Sequence, residues 1–160
     1  MLTLAHGKKV FKFWAAAIFV NAVRQTITEK TKRHIFKGEI NRQGKAVGCR
    51  HVNAINEYKT AQLVPNTRKN GPNGLFKAKV PVKNVDGRWI TKVSNGGYST
   101  FFPEDWSEEK TLEAISEAYR GKRKVNGELY EGITKDGITI QFYAKPDGFI
   151  ASAFPKDWTR

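Results

Sequence analysis

No proline precedes Pro65, and beyond it Asp86-Gly87, Asn126-Gly127, Asp136-Gly137 and Asp147-Gly148 punctuate a series of short apolar runs. A proline-free stretch is free to be helical, whereas Asn-Gly and Asp-Gly steps supply the positive φ that tight hairpins need. This asymmetry predicts helices first and antiparallel hairpins afterwards. Val10, Trp14, Ile18 and Val23 recur at near-helical intervals, and Thr28 is placed to cap a second helix from Glu29 to about Lys37, with Gly38 as its stop. Past the Pro/Gly/Asn loop at 66–73, Phe76, Ala78, Val80 and Val82 alternate with Lys77, Lys79 and Lys83, the period of a strand with one wet, basic face. Asp86-Gly87 turns that strand into residues 88–94. Helical spacing returns over 107–120, with Ser107 as cap, Glu108 and Glu109 in the first turn, Leu112, Ile115 and Tyr119 on one face, and Arg120 and Gly121 at the end. Three strands centred near Leu129, Ile140 and Ile150 complete the pattern. The expected class is α+β: N-terminal helices followed by two small antiparallel β-sheet portions separated by a helix.

A chain of 160 residues has room for one good core. A single domain is expected over 1–160, residues 1–26 forming an N-terminal helical segment and 27–160 carrying the chemistry. The lone cysteine, Cys49, excludes a disulfide framework and a multi-cysteine zinc site. Val10 to Val20 is the one strongly apolar stretch, and it is shorter than the roughly 20 residues a spanning helix needs. It has the length of a signal h-region; the reading preferred is a buried helix, with an amphipathic surface helix as alternative and a targeting role for residues 8–23 left open.

Charge narrows the function. The net charge is +13, and it is uneven: residues 1–103 hold 19 Lys/Arg against Glu29, Glu39, Glu57 and Asp86, whereas 104–160 hold 9 against 11 acids. Such a surplus points to a polyanionic or acidic partner. Within the basic part, His34 and His51 bracket HIFKGEINRQGKAVGCRH. Imidazoles titrate near neutral pH, so two of them can serve as general base and general acid without a metal. His34 falls in the last turn of the expected helix, where the terminal carbonyls favour a cation. A zinc site from His34, His51 and Cys49 lacks paired-ligand spacing, and no P-loop, GxSxG or HExxH is present.

The H-I-x-x-G-E-I setting of His34, the Gly48-Cys49-Arg50-His51 step, Lys92, the STFFP stretch from Ser99 to Pro103 with Trp106 and Ser107, and Ser152-Ala153-Phe154-Pro155 occur in that order. In this the chain resembles the bacterial EndoU-type endoribonucleases, over roughly residues 27–158, and above all their toxin branch in contact-dependent inhibition and polymorphic toxin systems. The resemblance implies an EndoU-like fold and RNA cleavage by attack of the 2′-hydroxyl, with neither metal nor cofactor, giving a 2′,3′-cyclic phosphate and a 5′-hydroxyl. It casts His51 as the base, His34 as the acid and Lys92 as the cation offsetting phosphorane charge, with Gly48, Thr100, Ser152 and Phe154 as substrate contacts. Phe154 stands where a tyrosine is frequent, which leaves uridine preference open. The basic chain offers Lys79 and Lys110 as alternative lysines. The resemblance further implies tRNA or single-stranded RNA as partner, an acidic cognate immunity protein, no stable membrane span, and secretion or cell-surface delivery to act in the cytoplasm of a target bacterium. The alternative from another class is a non-catalytic basic RNA-binding module; a weaker third is a membrane-active protein using residues 8–23.

The stretches STFFPEDWS at 99–107 and SAFPKDWT at 152–159 echo one another, which suggests that each β portion ends in the same way.

Overall fold

The computed structural model describes residues 26–160. The helix expected over residues 10–23, and with it any membrane or targeting role of that segment, lies outside them. Thr28 is extended (φ −72°, ψ 164°) and its hydroxyl accepts from the Thr31 amide at 3.2 Å, so helix α1 begins at once and runs Glu29–Phe36. It ends because Gly38 takes φ +71°, which turns its amide back onto Arg33 O at 3.1 Å. A hairpin of β1 (Glu39–Ile40) and β2 (Ala46–Val47) follows, then a single helical turn, α2 (Asn53–Asn56).

Strands β3 (Lys69–Asn70) and β4 (Phe76–Lys79) pair antiparallel, and β5 (Val82–Lys83) pairs β6 (Trp89–Ile90) across the Asp86-Gly87 turn. Strand β7 (Tyr98–Phe101) then returns to β4 and completes a three-stranded sheet. The continuous strand expected from Phe76 to Lys83 is two strands, because Pro81 has no N–H to carry one ladder through. Its outer face is not uniformly wet either. Lys77 is buried, with Nζ at 3.0 Å from Asp157 and 2.8 Å from the Thr159 hydroxyl.

Ser107 caps helix α3 (Glu108–Arg120), accepting from the Lys110 amide at 3.0 Å. Four antiparallel strands close the chain as a meander: β8 (Arg123–Asn126), β9 (Leu129–Ile133), β10 (Thr139–Ala144) and β11 (Ile150–Pro155). Strand β8 was not signalled by alternation, since all four of its residues are exposed. The architecture is α+β with small antiparallel sheets, as expected.

Two apolar clusters hold these elements together. In one, Ile35 and Phe36 of α1 and Ile115 and Ala118 of α3 pack on Ile140, Phe142 and Ile150 of the meander. In the other, Phe76, Ala78, Val82 and Phe101 close around Cys49 and Ala54, with Phe76 and Phe101 stacked at 4.7 Å. Each such fully buried Ile or Phe contributes about 1.5–3 kcal/mol. The end of β7 joins the two, since Phe101 enters the second cluster and Phe102, the residue just after the strand, enters the first. Beside this crossing point the Thr100 hydroxyl donates to Pro155 O at 2.7 Å, tying β7 to β11. The two Ser-to-Trp echo segments thus meet across the junction of the two sheets. Among the described residues, no helix is long and apolar enough to cross a membrane.

Candidate active site

A cleft of about 420 Å³ opens at that junction. Tyr98 and Thr100 of β7 line one side, Gln141, Tyr143 and Phe154 of the meander the other, and Arg50 is in its wall.

The segment that presents Arg50 is pinned to the end of α1. Cys49 N donates to His34 O at 2.9 Å and Arg50 N to Ile35 O at 2.7 Å. Gly48 permits this approach, because a Cβ there would lie 2.0 Å from His34 O, and its φ of +74° suits glycine. Cys49 follows at φ +62°, an uncommon conformation for a residue with a side chain. Burial pushes its thiol up to about 11, so it stays protonated and is a poor metal ligand or nucleophile. No group of three His, Cys, Asp or Glu among the described residues is arranged to hold a metal ion.

His34 stands in the last turn of α1 with Nδ1 3.0 Å from Glu39 Oε1. Donation of Nδ1–H to that carboxylate leaves Nε2 as the basic nitrogen, and Nε2 has no partner among the described residues. The helix-end position was expected to favour the imidazolium. Instead the pKa is lowered: burial dominates, Glu39 opposes it, and the nearby Arg50 and Lys92 charges add to the lowering.

His51 is placed differently. It is 1% exposed, its Nε2–H donates to Trp106 O at 2.8 Å, its Nδ1 accepts from Asn53 N at 3.1 Å, and the edge of Phe36 meets its ring at 5.3 Å. Both nitrogens are therefore occupied, and burial lowers its pKa against the pull of the Trp106 carbonyl. Removing the His51 side chain would therefore open a cavity and leave two backbone groups without their partner. Of these two histidines, His34 alone has a nitrogen without a partner among the described residues.

Lys92 is likewise buried, just beyond β6, with Nζ donating to Gly48 O and Ser99 Oγ. Burial pulls its ammonium down to about 7, and repulsion from Arg50 adds to the effect. Of the alternative lysines, Lys110 is ion-paired to Asp136 at 3.1 Å and Lys79 lies exposed near the Tyr98 ring. Thr100 and Phe154 line the cleft; Ser152 shares the Phe154 face of β11, opposite Tyr143. The structure thus gathers His34, Gly48 and Lys92 around the 48–50 turn, with Thr100 and Phe154 at the cleft, while His51 points into the core.

Two residues went unnoticed in the sequence. Glu39 lies in the H-I-x-x-G-E-I stretch, five residues after His34, and its role depends on the turn at Gly38. Arg50 adjoins His51, and the left-handed turn at Gly48 and Cys49 sets the two side chains apart, Arg50 in the cleft wall and His51 bonded to Trp106 O. A buried His51 would have turned attention to Arg50.

Comparison with known proteins adds a family and one relative. Residues 28–157 match the family described as bacterial EndoU nuclease. A Bacillus cereus protein described as a toxin is 38% identical over 128 residues, which is 79% of this chain but 22% of that protein's length. No solved structure matches.

Proposed function

The chain belongs to the bacterial EndoU nuclease family, and from that premise we propose that it is a metal-independent endoribonuclease of a toxin, cutting RNA by attack of a 2′-hydroxyl on the adjacent phosphate. The observation that carries this reading is the pairing of a histidine whose basic nitrogen has no partner among the described residues, His34, with a buried lysine, Lys92, at the same glycine turn. In the proposed reaction the 2′-hydroxyl proton passes to His34 Nε2, the 2′-oxygen bonds to phosphorus, and the phosphorus–O5′ bond breaks. The imidazolium so formed gives its proton to the departing 5′-oxygen. The products are a 2′,3′-cyclic phosphate and a 5′-hydroxyl. Lys92 offsets the charge that builds on the phosphorane.

This distribution of roles departs from the one the resemblance implies. His51 would have to break its bonds to both Trp106 and Asn53 to meet a substrate, so it is assigned a positioning role at the start of α3. Thr100, Phe154 and Ser152 are assigned to substrate contact and Gly48 to shaping the turn. RNA, whether tRNA or a single strand, fits the basic surface, and a toxin of this kind calls for delivery into a target bacterium and an acidic cognate inhibitor in the producer.

Incubating the protein with total RNA and chelator, then mapping cut ends, tests the reaction. Cyclic phosphate and 5′-hydroxyl ends are expected. Cleavage ending in 3′-hydroxyls, or cutting of a strand carrying 2′-deoxyribose at the cleavage position, would exclude 2′-hydroxyl attack. RNA bound but uncut would favour the binding-module alternative.

A further inference from the structure

We propose that Arg50 is a second cationic ligand for the scissile phosphate, its guanidinium and the Lys92 ammonium together forming an anion site between the 48–50 turn and β7. This rests on the reading of the cleft as a phosphodiester site but adds a residue to it, and it concerns the binding of an anion whether or not a bond is cut.

Three observations converge on Arg50. Its guanidinium lies over the Phe154 ring at 4.7 Å and donates to Thr100 Oγ1 at 3.3 Å, so two cleft residues hold it in place. Its Nε is buried and has no hydrogen-bond partner among the described residues. Native proteins rarely leave such a donor unpaired, and the cost is about 1–3 kcal/mol. Finally, among the described residues neither Arg50 nor Lys92 forms an ion pair, although the Arg50 charge acts on Lys92 and burial withdraws both from water.

Two like charges held together without a counterion repel, and the repulsion is relieved by whatever anion enters between them. A tetrahedral phosphate has the oxygens that the planar guanidinium fork can grip in pairs, whereas a lysine ammonium acts as a point charge. The Phe154 ring beneath Arg50 and the bond to Thr100 hold that guanidinium in place before substrate arrives, and a preorganised donor costs no reorganisation when charge develops on the phosphorane. The arrangement thus divides the work: Lys92 supplies charge from behind the turn, and Arg50 supplies directed hydrogen bonds from the cleft wall.

The test uses the intact protein and inorganic phosphate as probe. Titration followed by NMR should shift the Arg50 Nε–H resonance in a saturable way. Arg50→Gln, which keeps a polar side chain but no charge, should weaken phosphate binding by about 10–100-fold and lower RNA turnover by about 100–1000-fold, with Arg50→Lys intermediate. An Arg50 Nε–H resonance that ignores phosphate overturns the proposal even if Arg50→Gln proves unfoldable, because that measurement is made on the wild type. Equal phosphate affinity in folded Arg50→Gln overturns it as well. If the wild type binds phosphate through Arg50 yet cuts no RNA, the nuclease reading fails and the anion site stands.

Discussion

Glu39 Oε1 sits 3.0 Å from His34 Nδ1, across the short turn that Gly38 makes out of α1. That carboxylate fixes the tautomer that leaves Nε2 basic, and it opposes the burial that drives the ring neutral. Its removal acts on both. Glu39→Gln should lower the His34 pKa further, because the stabilising charge is lost while the desolvation remains. A base must be neutral to work, so the acid limb of the RNA cleavage profile should move to lower pH in the variant. NMR titration of His34 and the pH dependence of turnover report the same shift; an acid limb that stays in place would detach His34 from the limiting proton transfer.

The wild-type profile itself should be narrow. Activity is lost as pH falls through the His34 pKa, which lies below the ordinary histidine value, and is lost again as pH rises through about 7, where Lys92 gives up its charge. Lys92→Met should remove most turnover. It should also change the stability profile in a defined direction. An unfolded lysine titrates at about 10.4, whereas the native Lys92 does so at about 7, so between those values the unfolded chain binds a proton that the native state does not. Stability contributed by this group therefore rises with pH over that window. The melting temperature of the wild type, relative to that of Lys92→Met, should climb from neutral pH toward about pH 10; a constant difference would mean that Lys92 is not withdrawn from water.

His51 separates a positioning role from a catalytic one. His51→Ala should cost about 2–4 kcal/mol, through the cavity and the two unpaired backbone groups at Trp106 and Asn53. His51→Gln retains a donor toward Trp106 O and should recover part of that stability. Measured below its melting temperature, it should also recover most of the cleavage, whereas His34→Gln should not. Equal and near-complete loss in His51→Gln and His34→Gln would restore His51 as the base.

The elements were legible where local chemistry decides them. Thr28 and Ser107 cap the helices they were expected to cap, and Asn126-Gly127, Asp136-Gly137 and Asp147-Gly148 lie between successive strands of the meander. Strand β8 escaped notice because an exposed edge strand such as RKVN has no buried face to impose alternation. The site was legible in its parts and not in its orientation. Spacing placed His34, Gly48 and His51 on one segment, but which of Arg50 and His51 enters the cleft depends on how residues 48–50 dock on the end of α1, a tertiary contact with no periodic signal. Burial likewise outweighed the helix end at His34, and local sequence does not reveal how much water a side chain loses.

The basic surface gives the last prediction. Lys77 was expected on the wet, basic face of its strand, but its ammonium is committed to Asp157 and Thr159, so Lys77→Ala should destabilise the fold by leaving the Asp157 carboxylate without its cation. Lys69 and Lys79 are exposed and stand 5.1 and 5.7 Å from the ring of Tyr98, which lines the cleft. An aromatic face flanked by lysines suits a single strand, with a base stacking on the ring and phosphates at the ammoniums. Lys69→Ala and Lys79→Ala should each weaken RNA binding with little effect on melting temperature, and each should reduce the slope of log affinity against log salt by about 0.7. Tyr98→Leu should weaken binding and leave the salt slope unchanged. Should the two lysine variants bind RNA with the wild-type salt dependence, the strand leaves the cleft by another route and this face is not its track.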